Sequence, residues 1–177
     1  IEAEINNVEK GKEARIDIKV NSLQDSSFIT ALYRASYAGV KIRLNVRGVC
    51  CLQPDLKKIS KNIKVTSIVD RYLEHSRIFS FYNNGKPKVY ISSADLMERS
   101  FDRRVELAIE VKDADSKNKI QEILMLAKLF RPTYFIFKLQ SQTEKLLIVV
   151  HVMVLMKEHR SLDSARENFW VDYSNNY

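Results

Sequence analysis

Between residues 14 and 46 the chain changes its hydrophobic period twice. Ala14-Arg15-Ile16-Asp17-Ile18-Lys19-Val20 alternates apolar and polar side chains, the period of a strand with one buried face. Residues 26–38 then bring Phe28, Ile29, Leu32, Ala35 and Ser36 onto one side at helical spacing. Asp25 stands where an N-cap is expected, and Gly39 where a left-handed residue ends a helix. Val40-Lys41-Ile42-Arg43-Leu44-Asn45-Val46 alternates again. Strand, helix and strand in this order predict a right-handed crossover between two parallel strands. Arg47-Gly48 falls at the C-terminal end of the second strand, where open α/β sheets collect their ligands.

The rest of the chain reads more coarsely. It opens inside an amphipathic helical pattern, and residues 50–62 form a basic loop around Pro54. Residues 63–69 predict a strand, and residues 70–74 a turn or short helix. Residues 77–82 and 88–92 are β-rich, and Asn83-Asn84-Gly85-Lys86-Pro87 between them signals a hairpin. Residues 104–109 predict one more strand. Residues 115–129 predict a helix with Ile120, Ile123, Leu124 and Ala127 on one side.

With 177 residues, 45% of them hydrophobic and 29% charged, the chain is long enough for a buried core. Only 4 Gly and 3 Pro occur, and no repeat or low-complexity tract is visible, so disordered and fibrous classes are excluded. Cys50 and Cys51 are adjacent, without a C-x-x-C pair, which predicts packed thiols in a reducing compartment. The first residue is Ile1 and no signal peptide is apparent, so a piece of a longer cytoplasmic protein is expected, with association to a membrane surface left open. The longest apolar run, residues 146–156, is interrupted by His151 and falls short of the roughly 20 residues a helical span needs. His151 is expected to be a core or strand histidine, and His159 an exposed one.

Net charge is +7, and its placement is informative. Residues 41–104 hold fourteen basic and six acidic side chains, whereas the two flanks are near balance. Such a local excess points to a polyanionic partner, with a merely solvated basic face as the bland reading. The common phosphate motifs are missing: Gly85-Lys86 lacks the earlier glycine of a Walker loop, since Ser80 stands there, and no G-x-G-x-x-G occurs. Nor is there an H-E-x-x-H or an acidic metal loop, so no metal ligand is assigned. Any phosphate chemistry must rest on Arg, His and backbone amides. Glu74-His75-Ser76-Arg77, followed by Val89-Tyr90-Ile91-Ser92-Ser93-Ala94-Asp95, resembles a degenerate half of the phospholipase D pattern. Imidazole suits attack on phosphorus or proton transfer because it titrates near neutrality, although a lone histidine beside an arginine is often only a surface or core residue.

Four blocks give these residues a context. Val46-Arg47-Gly48-Val49-Cys50-Cys51-Leu52, the stretch Ser67 to Arg77, Val89 to Met97, and Asp102-Arg103-Arg104-Val105-Glu106 follow one another in an order that resembles the C-terminal catalytic domain of polyphosphate kinases. Asn21-Ser22-Leu23 and Ala35-Ser36-Tyr37-Ala38-Gly39-Val40 are similar to that family too. The resemblance covers about residues 1–126, leaving 127–177 as a divergent extension of the same domain. One departure is Leu96, where the family often has Trp.

The resemblance implies an α/β, phospholipase D-like domain with a mixed β-sheet flanked by helices. It implies reversible transfer of the ATP γ-phosphate to polyphosphate through a phosphohistidine in a preceding domain absent from this chain. Mg²⁺ ligands would also lie outside it. By the same resemblance Arg47 and Arg104 match phosphate-contacting arginines, and His75 matches a second active-site histidine that is both catalytic and phosphate-binding. Partners would be ATP, ADP and polyphosphate, the remaining domains, and further copies in a homo-oligomer of the full-length enzyme. The isolated chain is expected to be inactive. Two alternatives stay open: a phospholipase D-like phosphodiesterase, although Arg77 replaces its usual Lys and no acid follows in Ile78–Tyr82, and a basic nucleic-acid-binding module.

Overall fold

The computed structural model describes residues 1–67, 75–126, 134–138 and 147–151. Its main sheet is built from β1 (Arg15–Val20), β2 (Lys41–Val46), β4 (Ile63–Thr66), β5 (Ile78–Phe81), β6 (Lys88–Ser92) and β7 (Ala108–Val111), in the order β4-β2-β1-β5-β6-β7. Strands β4, β2 and β1 run parallel, and β5, β6 and β7 add antiparallel neighbours. The sheet is therefore mixed, and the expected crossover from β1 through α2 (Ser26–Ala38) to β2 is present.

Local chemistry sets the limits of α2. The Asp25 carboxylate accepts the Phe28 amide at 2.7 Å, closing the first turn, and Gly39 takes φ 110°, a conformation that penalises a Cβ. Ile29, Leu32 and Ala35 are buried from this helix against Ile16, Ile18, Val20, Ile42, Leu44 and Val46, which are the even-numbered side chains of β1 and β2. Truncating Leu32, which has no exposed surface, to Ala would cost about 2–5 kcal/mol. α1 (Glu2–Glu9) lies on this same face through Ile5. Buried Glu4 ties it down, accepting the Arg15 amide at 3.1 Å and the Asn83 amide at 2.6 Å.

On the opposite face α4 (Ala114–Leu126) buries Ile120 and Leu124 against Ile78 and Val89. Ile123, expected on that side, is exposed instead: helical spacing alone placed it one step round from the stripe that meets the sheet. The odd-numbered side chains of β1 and β2 also lie on this second face, which explains a buried charge cluster. Asp17, opposite Arg43 in register, accepts from Arg43 and from Arg15.

The hairpin between β5 and β6 is as expected, with Asn83, Asn84 and Gly85 all at positive φ. The predicted strand at 104–109 is displaced: the strand is β7, beginning at Ala108. The Leu107 carbonyl is taken by the Ser93 amide and the Ser92 hydroxyl, so regular pairing begins only beyond it. The short α3 (Glu98–Asp102) precedes this loop. A second sheet joins β3 (Val49–Cys50) to β9 (Leu147–His151) and β8 (Tyr134–Lys138). His151 is thus a strand residue, in register with Tyr134. The expected turn at 70–74, together with Ala127 and His159, lies outside the described residues. Among the described residues no helix is long and apolar enough to cross a membrane.

Candidate active site

Strands β1 and β2 end side by side, Val20 opposite Val46, and the chains leaving them stay in contact. The Arg47 amide donates to the Val20 carbonyl at 3.2 Å and the Gly48 amide to the Asn21 carbonyl at 2.7 Å. A Cβ on Gly48 would stand 3.1 Å from that Asn21 oxygen, so glycine permits the close approach.

Side chains extend the same link. Arg47 donates through Nε to Asn21 Oδ1 at 3.1 Å. Asn21 Nδ2 faces Asp95, at 3.2 Å from Oδ1 and 3.4 Å from Oδ2. Asp95 Oδ1 also accepts the backbone amides of Asn21 at 2.7 Å and Ser22 at 3.3 Å. Its Oδ2 accepts Arg77 Nη2 at 3.0 Å. One carboxylate therefore joins the loop after β1, the segment before β5 and the loop after β6. Burial raises the Asp95 carboxyl, but the Arg77 hydrogen bond, the Asn21 amide, the Arg77 charge and the Ser22 amide outweigh it, and the net direction is down. Asp95 is held ionised by the Arg77 guanidinium and reaches Arg47 only through Asn21.

His75 sits at the start of this arrangement. Its side chain is exposed, and its carbonyl accepts Arg77 Nη1 at 3.5 Å. The next residue is pinned from beneath, because buried Lys19 donates through Nζ to the Ser76 carbonyl at 3.3 Å. The structure thus joins Arg47 and the His75–Arg77 segment through Asn21 and Asp95. Arg104 stands apart from that network. It is exposed on the loop between α3 and β7, and has no hydrogen bond or ion pair among the described residues. It lines a groove of about 490 Å³ with Phe28, Phe81, Tyr90, Ala94 and Leu96, the last two flanking Asp95.

Asn21 and Asp95 were not singled out from sequence as site residues, and Arg77 was noted only as standing where the phospholipase D pattern has Lys. Each lies inside a block that carries the resemblance, which was the available signal. Their roles depend on contacts spanning up to 74 positions, which no local pattern displays. The arrangement can hold an anion: Arg47 is fixed through Nε while its Nη groups have no partner among the described residues. Among the described residues no group of three or more His, Cys, Asp or Glu is placed to hold a metal ion.

Comparison with known proteins gives the chain a family. Residues 1–146 match the family described as polyphosphate kinase C-terminal domain 2. A polyphosphate kinase of Vibrio vulnificus is 50% identical over 126 residues, which is 71% of this chain and 18% of that protein. The crystal structure of polyphosphate kinase from Porphyromonas gingivalis superposes with a TM-score of 0.69 at 53% identity, covering 71% of this chain and 19% of the other. NucT from Helicobacter pylori superposes with a TM-score of 0.50 at 13% identity, covering 72% of this chain and 86% of that one. The last likeness shows the fold alone, a mixed α/β arrangement. The chain spans about a fifth of the length of the polyphosphate kinases it matches.

Proposed function

We propose, because this chain belongs to the polyphosphate kinase C-terminal domain family, that it serves as a phosphate-handling part of an enzyme that moves the ATP γ-phosphate reversibly to the end of a polyphosphate chain. In the forward direction the bond from γ-phosphorus to the ADP oxygen breaks as a bond to an imidazole nitrogen forms. That phosphohistidine would belong to a preceding domain. A terminal polyphosphate oxygen then displaces the histidine.

The residues of this chain have the remaining tasks. Charge spreads over the oxygens of the transferring group, so fixed donors stabilise it more than flexible ones do. Arg47 offers an anchored guanidinium whose fork suits phosphate. His75, exposed beside Arg77, gives a proton to the departing oxygen or orients the attacking one by a hydrogen bond. Arg104 acts from the neighbouring groove on the same or an adjoining phosphate. The basic excess of residues 41–104 favours a polyanion generally. Residues 127–177 would form a divergent extension of this domain. By the same family resemblance, Mg²⁺ would be held by the other domains. The enzyme would work in the cytoplasm as a homo-oligomer, and this chain alone would make no polyphosphate.

One observation carries the reading: Arg47 is anchored at Nε, on the same carboxylate network that seats the His75–Arg77 segment. The test compares the parent enzyme with its Arg47→Ala variant on ATP with polyphosphate, on a phosphodiester, and on single-stranded DNA. Loss confined to the first substrate pair is expected. Diester cleavage that survives purification and depends on Arg47 would replace this reading with a phosphodiesterase.

A further inference from the structure

Asn21 presents an amide that fits its site in only one orientation, and Asp95 decides which. A carboxylate accepts and cannot donate, so the group facing Asp95 must be the Nδ2 amine, at 3.2 and 3.4 Å from its two oxygens. The carbonyl Oδ1 is thereby turned toward Arg47, whose Nε it receives at 3.1 Å. Had the amide turned round, its amine would face the guanidinium and its oxygen the carboxylate, and both contacts would be repulsive. Asp95 is itself held by the Asn21 and Ser22 amides and by Arg77. Asn21 and Asp95 are both buried, so solvent does not compete for these bonds.

We propose that Asn21 and Asp95 are positioning residues: Asp95 fixes the orientation of the Asn21 amide, and Asn21 fixes the Arg47 guanidinium for an incoming phosphate. The proposal rests on the reading of Arg47 as a phosphate ligand. It adds a function for two residues that need never touch substrate. The same carboxylate offsets one of two guanidinium charges, which leaves the cluster net positive for the ligand.

A double-mutant cycle in the parent enzyme tests it, with kcat/KM for ATP as the readout and melting temperature measured alongside. Asn21→Ala should lower kcat/KM by about 10- to 100-fold, the scale of losses from small misplacements of a reacting group. In an Arg47→Ala background the same change should lower it by less than about threefold, since the residue acts through Arg47. Should Asn21→Ala fail to fold, Asn21→Ser, whose hydroxyl is too short to reach Arg47, takes its place with the same expectation. Two results overturn the proposal: Asn21 variants within about threefold of wild type although Arg47→Ala is crippled, or losses that multiply in the double variant. An Arg47→Ala enzyme of normal activity would instead overturn the phosphate-ligand reading beneath it, so the two failures are distinguishable.

Discussion

Arg77 Nη2 and Asp95 Oδ2 meet at 3.0 Å, with the two side chains 17% and 9% exposed, and this contact seats the residue two positions beyond His75. Asp95 titrates below its ordinary value of 3.8, its burial being outweighed by Arg77 and the two backbone amides. A carboxylate whose pKa is lower folded than unfolded adds stability above the unfolded value and loses it as pH falls through the folded one. Asp95→Asn should therefore destabilise the chain near neutrality by about 1–3 kcal/mol. The gap to wild type should close as pH falls below 3.8. Thermal melts of both proteins across that range check this, and a gap independent of pH would contradict it.

Arg47→Lys separates charge from geometry. An ammonium keeps the charge but cannot hold Asn21 with one nitrogen and phosphate with two others. Arg47→Ala should cost on the order of 10²- to 10³-fold in kcat of the parent enzyme. The lysine variant should recover only part of that loss. Steady-state rates with ATP and polyphosphate supply the comparison, and full recovery by lysine would show that the fork is irrelevant.

Gly48→Ala probes the close approach of the two strand ends. Its φ is not in the left-handed region, so the cost comes from space and not from backbone strain. The new methyl would press on the Asn21 carbonyl at 3.1 Å, an atom already bound to the Gly48 amide. A loss of about 1–3 kcal/mol is expected from such overpacking. Activity should fall further than stability alone explains, because Asn21 also carries Arg47. Denaturant titration and turnover, measured on the same preparation, test both parts.

The adjacent cysteines should differ in reactivity. Burial pushes the Cys50 thiol up to about 12, and it also raises the half-buried Cys51. Thiolate is the reactive form, so both should alkylate slowly at neutral pH, Cys51 before Cys50. Mass spectrometry of the native protein after timed iodoacetamide treatment gives the order. Faster labelling of Cys50 would mean that the β3 region opens readily.

How much of this was legible beforehand depended on range. The β1-α2-β2 unit was readable to within a residue or so because its signals are local: alternation, the Asp25 cap and the Gly39 terminus. The hairpin turn was readable for the same reason. Where strand β5 would pair was not, since joining β1 antiparallel depends on partners distant in sequence. The two-residue β3 and the five-residue α3 are too short to show a period. Strand β7 began late because Ser92 and Ser93 claim the Leu107 carbonyl, a contact invisible in a propensity pattern. At the site, Arg47 and His75 were named from the blocks they occupy. Asn21 and Asp95 became visible only when folding brought them together.

The measurement nearest the central claim is the turnover of a His75→Ala parent enzyme alongside its melting temperature. The imidazole is exposed and has no hydrogen bond among the described residues, so its removal should leave the fold intact. If His75 handles a proton or a phosphate oxygen, turnover should fall by on the order of 10²-fold or more at an unchanged melting temperature. A variant that melts normally and turns over within about threefold of wild type, under about 1 kcal/mol of barrier, would remove His75 from the mechanism.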